Sequence, residues 1–156
     1  MTANQVDLVK DLAEADAADV LALGSRSRVA SGAELFGLGA EATSLYVIER
    51  GRISLTLPLQ VQGREEDILV EERLPGQTVG WSALIPPHRF TLKATAQLET
   101  DLLAFSRVAL LAHFAKHPLV GYVMTHNLAS VVGQRLQVFQ AMWLREMQRV
   151  VELRAL

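Results

Sequence analysis

In Pro75-Gly76-Gln77-Thr78-Val79-Gly80-Trp81-Ser82-Ala83-Leu84-Ile85-Pro86-Pro87-His88-Arg89-Phe90-Thr91-Leu92-Lys93-Ala94 two glycines four residues apart let the backbone turn tightly, and Trp81 to Ile85 is long enough for one helical turn. Pro86-Pro87 then forces the chain out of that turn. Polar and apolar residues alternate strictly in Thr91-Leu92-Lys93-Ala94-Thr95-Ala96, which is the period of a half-buried strand. The stretch therefore predicts a short helix held between β-segments, with its N-terminal amides offered as an anion site.

Outward from it, strand-like runs separated by Gly, Pro or charged breaks recur from Arg28 to Ser106, the signature of an antiparallel sandwich or barrel. Ser44-Leu45-Tyr46-Val47-Ile48-Glu49 is the most apolar run. With Gly51 as the permissive turn residue, it and Arg52-Ile53-Ser54-Leu55-Thr56-Leu57 predict a tight hairpin, and Pro58 is expected to stop the second strand. Gln62-Gly63-Arg64-Glu65-Glu66 reads as an exposed turn leading into Asp67 to Glu72, and Thr100 to Phe105 closes the β-region.

The flanks are helical. Apolar residues between Val6 and Leu23 predict one or two short amphipathic helices ended by Gly24. Ser106 is placed to cap a helix from Arg107 to Lys116, and Pro118 suits the first turn of another that continues to about Arg154. Such a helix is about 55 Å long at about 1.5 Å per residue, more than a domain of this size covers. Met124, Leu128, Val131, Val138 and Met142 form one apolar stripe, which we assign to the chain's own β-core. Val132, Leu136, Phe139, Trp143 and Val150 form a second, assigned to another copy of the chain, with Gly133 permitting close helix approach. Residues 1–27 are thus expected as N-terminal helices, 28–106 as the β-barrel with its turn segment at 76–90, and 107–156 as C-terminal helices.

With 156 residues, half of them hydrophobic, the chain has the material for one packed domain. The absence of cysteine excludes disulfides and thiolate sites and fits a reducing, cytoplasmic setting. No apolar run approaches the roughly 18 residues of a membrane span. A formal net charge of -2 argues against a general nucleic-acid binder.

This order of elements, with Leu35-Phe36, Leu45-Tyr46-Val47-Ile48-Glu49-Arg50-Gly51, Gly76, Val79-Gly80 and Thr91-Leu92-Lys93-Ala94, resembles the cyclic-nucleotide-binding domain of the catabolite-activator and Fnr family. The resemblance implies a mainly β fold, an eight-stranded jelly-roll barrel with N-terminal helices and a long C-terminal dimerisation helix. It also implies that the Gly80 segment is the phosphate-binding cassette. In that family the cassette reads Gly-Glu, a short helix, then Arg and a small residue; the Glu accepts from the ribose hydroxyl while the Arg and helix amides hold the cyclic phosphate. Here the Glu position is Trp81, whose indole only donates, and the Arg position falls on His88 with Arg89 one residue later. Gly80-Trp81-Ser82 with Pro86-Pro87 looks like a subset of bacterial relatives that keep the fold and carry a Gly-Trp-Ser cassette. The family's transcription factors append a helix-turn-helix after the long helix, for which 156 residues leave no room, so direct DNA reading is not expected.

Candidate ligand-binding residues are therefore Gly80, Trp81, Ser82, Ala83, His88, Arg89 and Phe90, and candidate dimer residues Leu136, Phe139 and Trp143. Trp81 either stacks on a planar ligand or, as we favour, plugs the pocket. His88 with Arg89 either holds an anion or leaves Arg89 as a solvated charge. His113 and His117 are spaced for one helical face, but no third ligand accompanies them and no metal site is expected. The histidine and glutamate set of metal-binding cupins is missing, as is any nucleophile-elbow pattern, so an enzyme is not expected. Two function classes stay open: a sensor of a cyclic nucleotide or other small anionic or nucleotide-like ligand, Arg89 serving the phosphate if it is a genuine cyclic-nucleotide binder, and a ligand-free dimerisation module acting on an unidentified protein partner.

Overall fold

The alternating pattern between Ser25 and Ser106 resolves, in a computed structural model describing Met1–Leu156, into eight strands in two antiparallel sheets. β1 (Ser25–Val29), β8 (Thr100–Ser106), β3 (Ser44–Arg50) and β6 (Thr78–Val79) form one sheet in that order. β2 (Glu34–Phe36), β7 (Lys93–Ala96), β4 (Ile53–Val61) and β5 (Arg64–Arg73) form the other. Leu45, Val47, Leu102 and Phe105 of the first sheet and Ile53, Leu55, Ala94 and Ala96 of the second are buried in one cluster, so the core lies between the sheets. This is the mainly β jelly roll with flanking helices that the family resemblance implies.

Several boundaries differ from the sequence reading, each for a local reason. The sheet starts at Ser25 rather than Arg28: β1 pairs with β8 from Ser25 opposite Ala104, yet four of its five residues are exposed, so it carries no apolar alternation to read. The expected hairpin between β3 and β4 does not form, because the two strands lie in different sheets. Gly51, at φ 104°, carries the chain across. Thr100 replaces the hairpin partner there, its hydroxyl accepting from Arg52 N–H at 3.1 Å and lying 3.3 Å from Arg52 C=O. A side chain at Gly51 would sit 2.4 Å from the Thr100 hydroxyl, so that corner has room for glycine alone.

Pro58 does not stop β4, which continues to Val61 and turns through Gln62-Gly63 into β5. β7 leaves β4 after Thr56, so Pro58 sits where one side of the strand has no ladder bond to lose. β7 itself starts at Lys93, two residues later than the alternation suggests. At the N-terminus there are two 3₁₀ turns (Ala3–Gln5 and Asp7–Val9) and one helix, α1 (Glu14–Leu21), closed by Ala22 rather than Gly24.

The C-terminal elements follow their caps. Ser106 accepts from Ala109 N–H at 3.0 Å to open α2 (Arg107–Lys116), and Pro118 opens α3 (Pro118–Arg154). Met124, Leu128 and Val131 of α3 are buried against the core. Asn127 donates to the carbonyls of Leu8 at 2.9 Å and Lys10 at 2.8 Å, which ties the helix to the N-terminal segment. No helix is long and apolar enough to cross a membrane.

Candidate functional site

Gly80 adopts a left-handed conformation, φ 85° and ψ 37°, and caps a single 3₁₀ turn, Trp81–Ala83. A side chain there would lie 3.1 Å from the ring of Phe90, so the glycine serves both the turn and the approach of that ring. The expected helical turn is a single 3₁₀ turn, which carries little aligned dipole. Ser82 and Ala83 are buried and Trp81 is half-buried against the core.

Beyond Pro86-Pro87 the chain folds back. His88 sits at φ 58°, donates its backbone N–H to Ile85 C=O at 3.0 Å and places Nδ1 3.2 Å from Ser82 C=O. Arg89 is exposed and donates from Nη1 to Gly39 C=O at 3.1 Å. Phe90 is buried, its ring stacked on Phe36 with centroids 3.6 Å apart and planes 10° from parallel. Gly80, Trp81, Ser82 and Phe90 line one cavity together with Phe36, while Ala83, His88 and Arg89 are not part of its wall. The cavity measures about 10 Å³, the room of about one water molecule.

One wall residue went unread in the sequence. Arg135 of α3 lines the same cavity, and its Nε donates to Glu71 Oε2 at 2.7 Å. Glu71 Oε1 accepts from Arg73 Nη1 at 2.9 Å; Arg73 Nη2 donates to Asp7 Oδ2 at 3.2 Å and its Nε to Thr78 C=O at 3.1 Å. Asp7 also accepts from Thr78 N–H at 3.1 Å and from the Thr78 hydroxyl. Four charged side chains thus connect the N-terminal segment, the barrel and the long helix, with the side chains of Arg73 and Arg135 only 4% and 9% exposed. Burial pulls the Arg135 pKa below its ordinary value, while the hydrogen bond and charge of Glu71 act against that shift. The signal was present in the helix period: Arg135 occupies the gap between Val131 and Val138 in the stripe that faces the core. The rings of His113 and His117 are neighbours, with centroids 4.6 Å apart, away from this site.

Residues 26–117 match the family model of the cyclic nucleotide-binding domain. The chain belongs to that family. This cyclic nucleotide-binding domain is similar to the catabolite activator protein of Thermus thermophilus, at 26% identity and a TM-score of 0.72. The match covers 91% of this chain and 63% of that one, so the chain spans under two thirds of that protein's length. It is also similar to the N-terminal domain of a transcriptional regulator from Streptomyces coelicolor A3(2), at 24% identity, TM-score 0.71 and coverage of 86% and 93%. The c-di-GMP responsive regulator CLP of Xanthomonas campestris shares the fold at 17% identity and TM-score 0.73, over 84% of this chain and 63% of that one. No curated protein sequence is significantly similar to the chain. The Streptomyces coelicolor and Xanthomonas campestris proteins are both described as regulators.

Proposed function

We propose that this domain is a regulatory sensor module that does not hold cyclic AMP in the usual manner of its family and that signals through its long helix, as a homodimer or against a protein partner. The observation that carries this reading is the cassette cavity. Drug-sized ligands occupy pockets of roughly 300 to 1,000 Å³, whereas this one is filled to about 10 Å³ by Trp81 and the stacked Phe36 and Phe90. Its wall offers no carboxylate for a ribose hydroxyl, and Arg89, the nearest substitute for the cassette arginine, is turned out to Gly39. Losing a charge-assisted bond to the ribose weakens binding by about 1.5 to 3 kcal/mol, or about tenfold to a hundredfold, and losing the guanidinium beside the phosphate costs at least about as much.

The filled cavity also favours the second reading, a ligand-free dimerisation module. Both readings place the output on α3, with Leu136, Phe139 and Trp143 at the dimer contact. Leu136 and Trp143 are 58% and 61% exposed, while Phe139 is half-buried against its own core. Neither reading involves DNA contact or catalysis by this chain. Titration calorimetry with cyclic AMP and cyclic GMP should detect no binding tighter than the high-micromolar range. A sub-micromolar constant abolished by Arg89→Ala would overturn the proposal.

A further inference from the structure

His113 lies in the last turn of α2, and His117 both ends α2 and caps α3, so the pair spans the break between the two helices. His117 leaves helical geometry at φ -131° and ψ 72°, yet its N–H still donates to His113 C=O at 2.9 Å. That bond keeps the two residues one turn apart, with both side chains on one side. Their ring centroids are 4.6 Å apart and their planes tilted by 33°. His113 is half-buried and His117 exposed, and His88 alone of the four histidines has a ring nitrogen hydrogen-bonded within the chain. Two ligands are too few for a structural zinc centre, and no third histidine or carboxylate joins them. The ring placement adds a distance to the spacing. An imidazole nitrogen sits about 1.1 Å from its ring centre and binds a late transition ion at about 2.0 Å, so each ring centre lies about 3.2 Å from the ion. Ring centres at cis positions about 90° apart are then about 4.5 Å from each other, and at the tetrahedral angle about 5.2 Å. The observed 4.6 Å matches the right angle.

We propose that His113 and His117 form a two-point chelate for a divalent late transition ion that accepts cis ligands at a right angle, nickel or copper in preference to zinc, and that the ion clamps the junction of α2 and α3. Imidazole suits these ions, and two imidazoles joined by one helical turn act as a single bivalent ligand. His117 and Pro118 are exposed, so water fills the remaining coordination positions. No carboxylate orients the rings from behind, and Lys116 in the same turn opposes a cation. The ion is therefore exchangeable rather than structural. Its effect is on the position of a helix. α2 and α3 are joined by one residue in a non-helical conformation, and a chelate across that residue holds the start of α3 at a fixed angle to α2. Since α3 carries the proposed output surface, the ion acts on its root, and this input does not depend on what the cassette holds.

The test is calorimetric titration of the untagged full chain with nickel chloride, with zinc chloride in parallel, together with amide hydrogen exchange at His117. The wild type should take up one nickel ion per chain, more tightly than zinc, and the ion should slow exchange of the His117 N–H. His113→Ala and His117→Ala should each weaken nickel binding at least about tenfold, since either leaves a single imidazole. His126→Ala should leave it within about twofold. Neither residue of the pair belongs to the buried core, so both variants should fold, and His113→Gln serves where the alanine at the half-buried position does not. No saturable uptake up to millimolar nickel, uptake that survives either substitution in the pair, or an equal loss in His126→Ala would overturn the site. Zinc bound more tightly than nickel would overturn the right-angle geometry. An unchanged His117 exchange rate in the nickel-loaded chain would overturn the clamp on α3.

Discussion

The two halves of α3 carry the same kind of apolar periodicity and meet opposite fates. Every buried residue of the helix lies in 118–135: Val120, Gly121, Met124, Asn127, Leu128, Val131 and Arg135. In 136–154, Leu136, Trp143, Leu144, Val151 and Leu153 are each more than half exposed. The first half has the barrel and the N-terminal segment to lie against; the second has no surface of its own chain beyond the partial cover given to Val138 and Phe139. What buries a helical stripe is a facing surface, and an apolar stripe without one requires a partner to explain it. Under the dimer proposal the second half waits for another copy.

The comparison is broken most sharply at Trp143. An exposed indole costs the isolated chain little to lose, but at the centre of a symmetric dimer Trp143→Glu acts twice, once from each copy. At about 2 kcal/mol per tryptophan anchor, the dimer dissociation constant should rise about a thousandfold. Sedimentation or light scattering over a concentration series measures it. A wild type that is monomeric at tens of micromolar would remove the dimer from the proposal. Phe139→Glu is the less clean probe, because Phe139 also packs on its own core.

The first half should respond in the opposite way. Met124 is fully buried, and Met124→Ala leaves a cavity that costs about 3 kcal/mol in folding stability while leaving self-association of the folded protein unchanged. Urea denaturation reads the first quantity and light scattering the second. A loss of dimer with full stability would mean that the two halves of the helix are not separable as described.

These two halves also show what a sequence carries. The stripes, the Ser106 cap and Pro118 at the helix start are local signals and translate directly into α2 and α3. The β3 to β4 link was illegible because strand, glycine, strand looks the same whether the second strand turns back or crosses to the other sheet. The deciding contact, Thr100 on Arg52, comes from 48 residues away. At the site, the glycine turn pointed to Gly80, Trp81, Ser82 and Phe90, which do share a cavity wall. His88 and Arg89 were placed only by the family resemblance, and the left-handed backbone of His88 means that the alternation of the following strand does not extend back to it. Arg135 was visible only as a break in an apolar stripe. Its partners Glu71 and Arg73 lie on a strand far away in the chain, and Asp7 on a 3₁₀ turn farther still.

The smallest expected effect lies at the boundary between the halves. Gly133 is exposed, a side chain added there meets nothing within 4 Å, and it is not among the glycines with positive φ. For a single copy, Gly133→Ala should therefore raise stability by about 0.5 to 1 kcal/mol, through higher helix propensity and a less flexible unfolded chain. In a dimer the prediction changes sign. Gly133 lies three residues before Leu136, hence on the same side of the helix, and a partner helix approaching closely there must make way for the added methyl group. We expect the protomer to gain stability in urea while the dimer dissociation constant rises several-fold. An unchanged dimer constant would move the helix crossing away from Gly133 toward Trp143, and a destabilised protomer would show that the space beside Gly133 is already occupied by the chain itself.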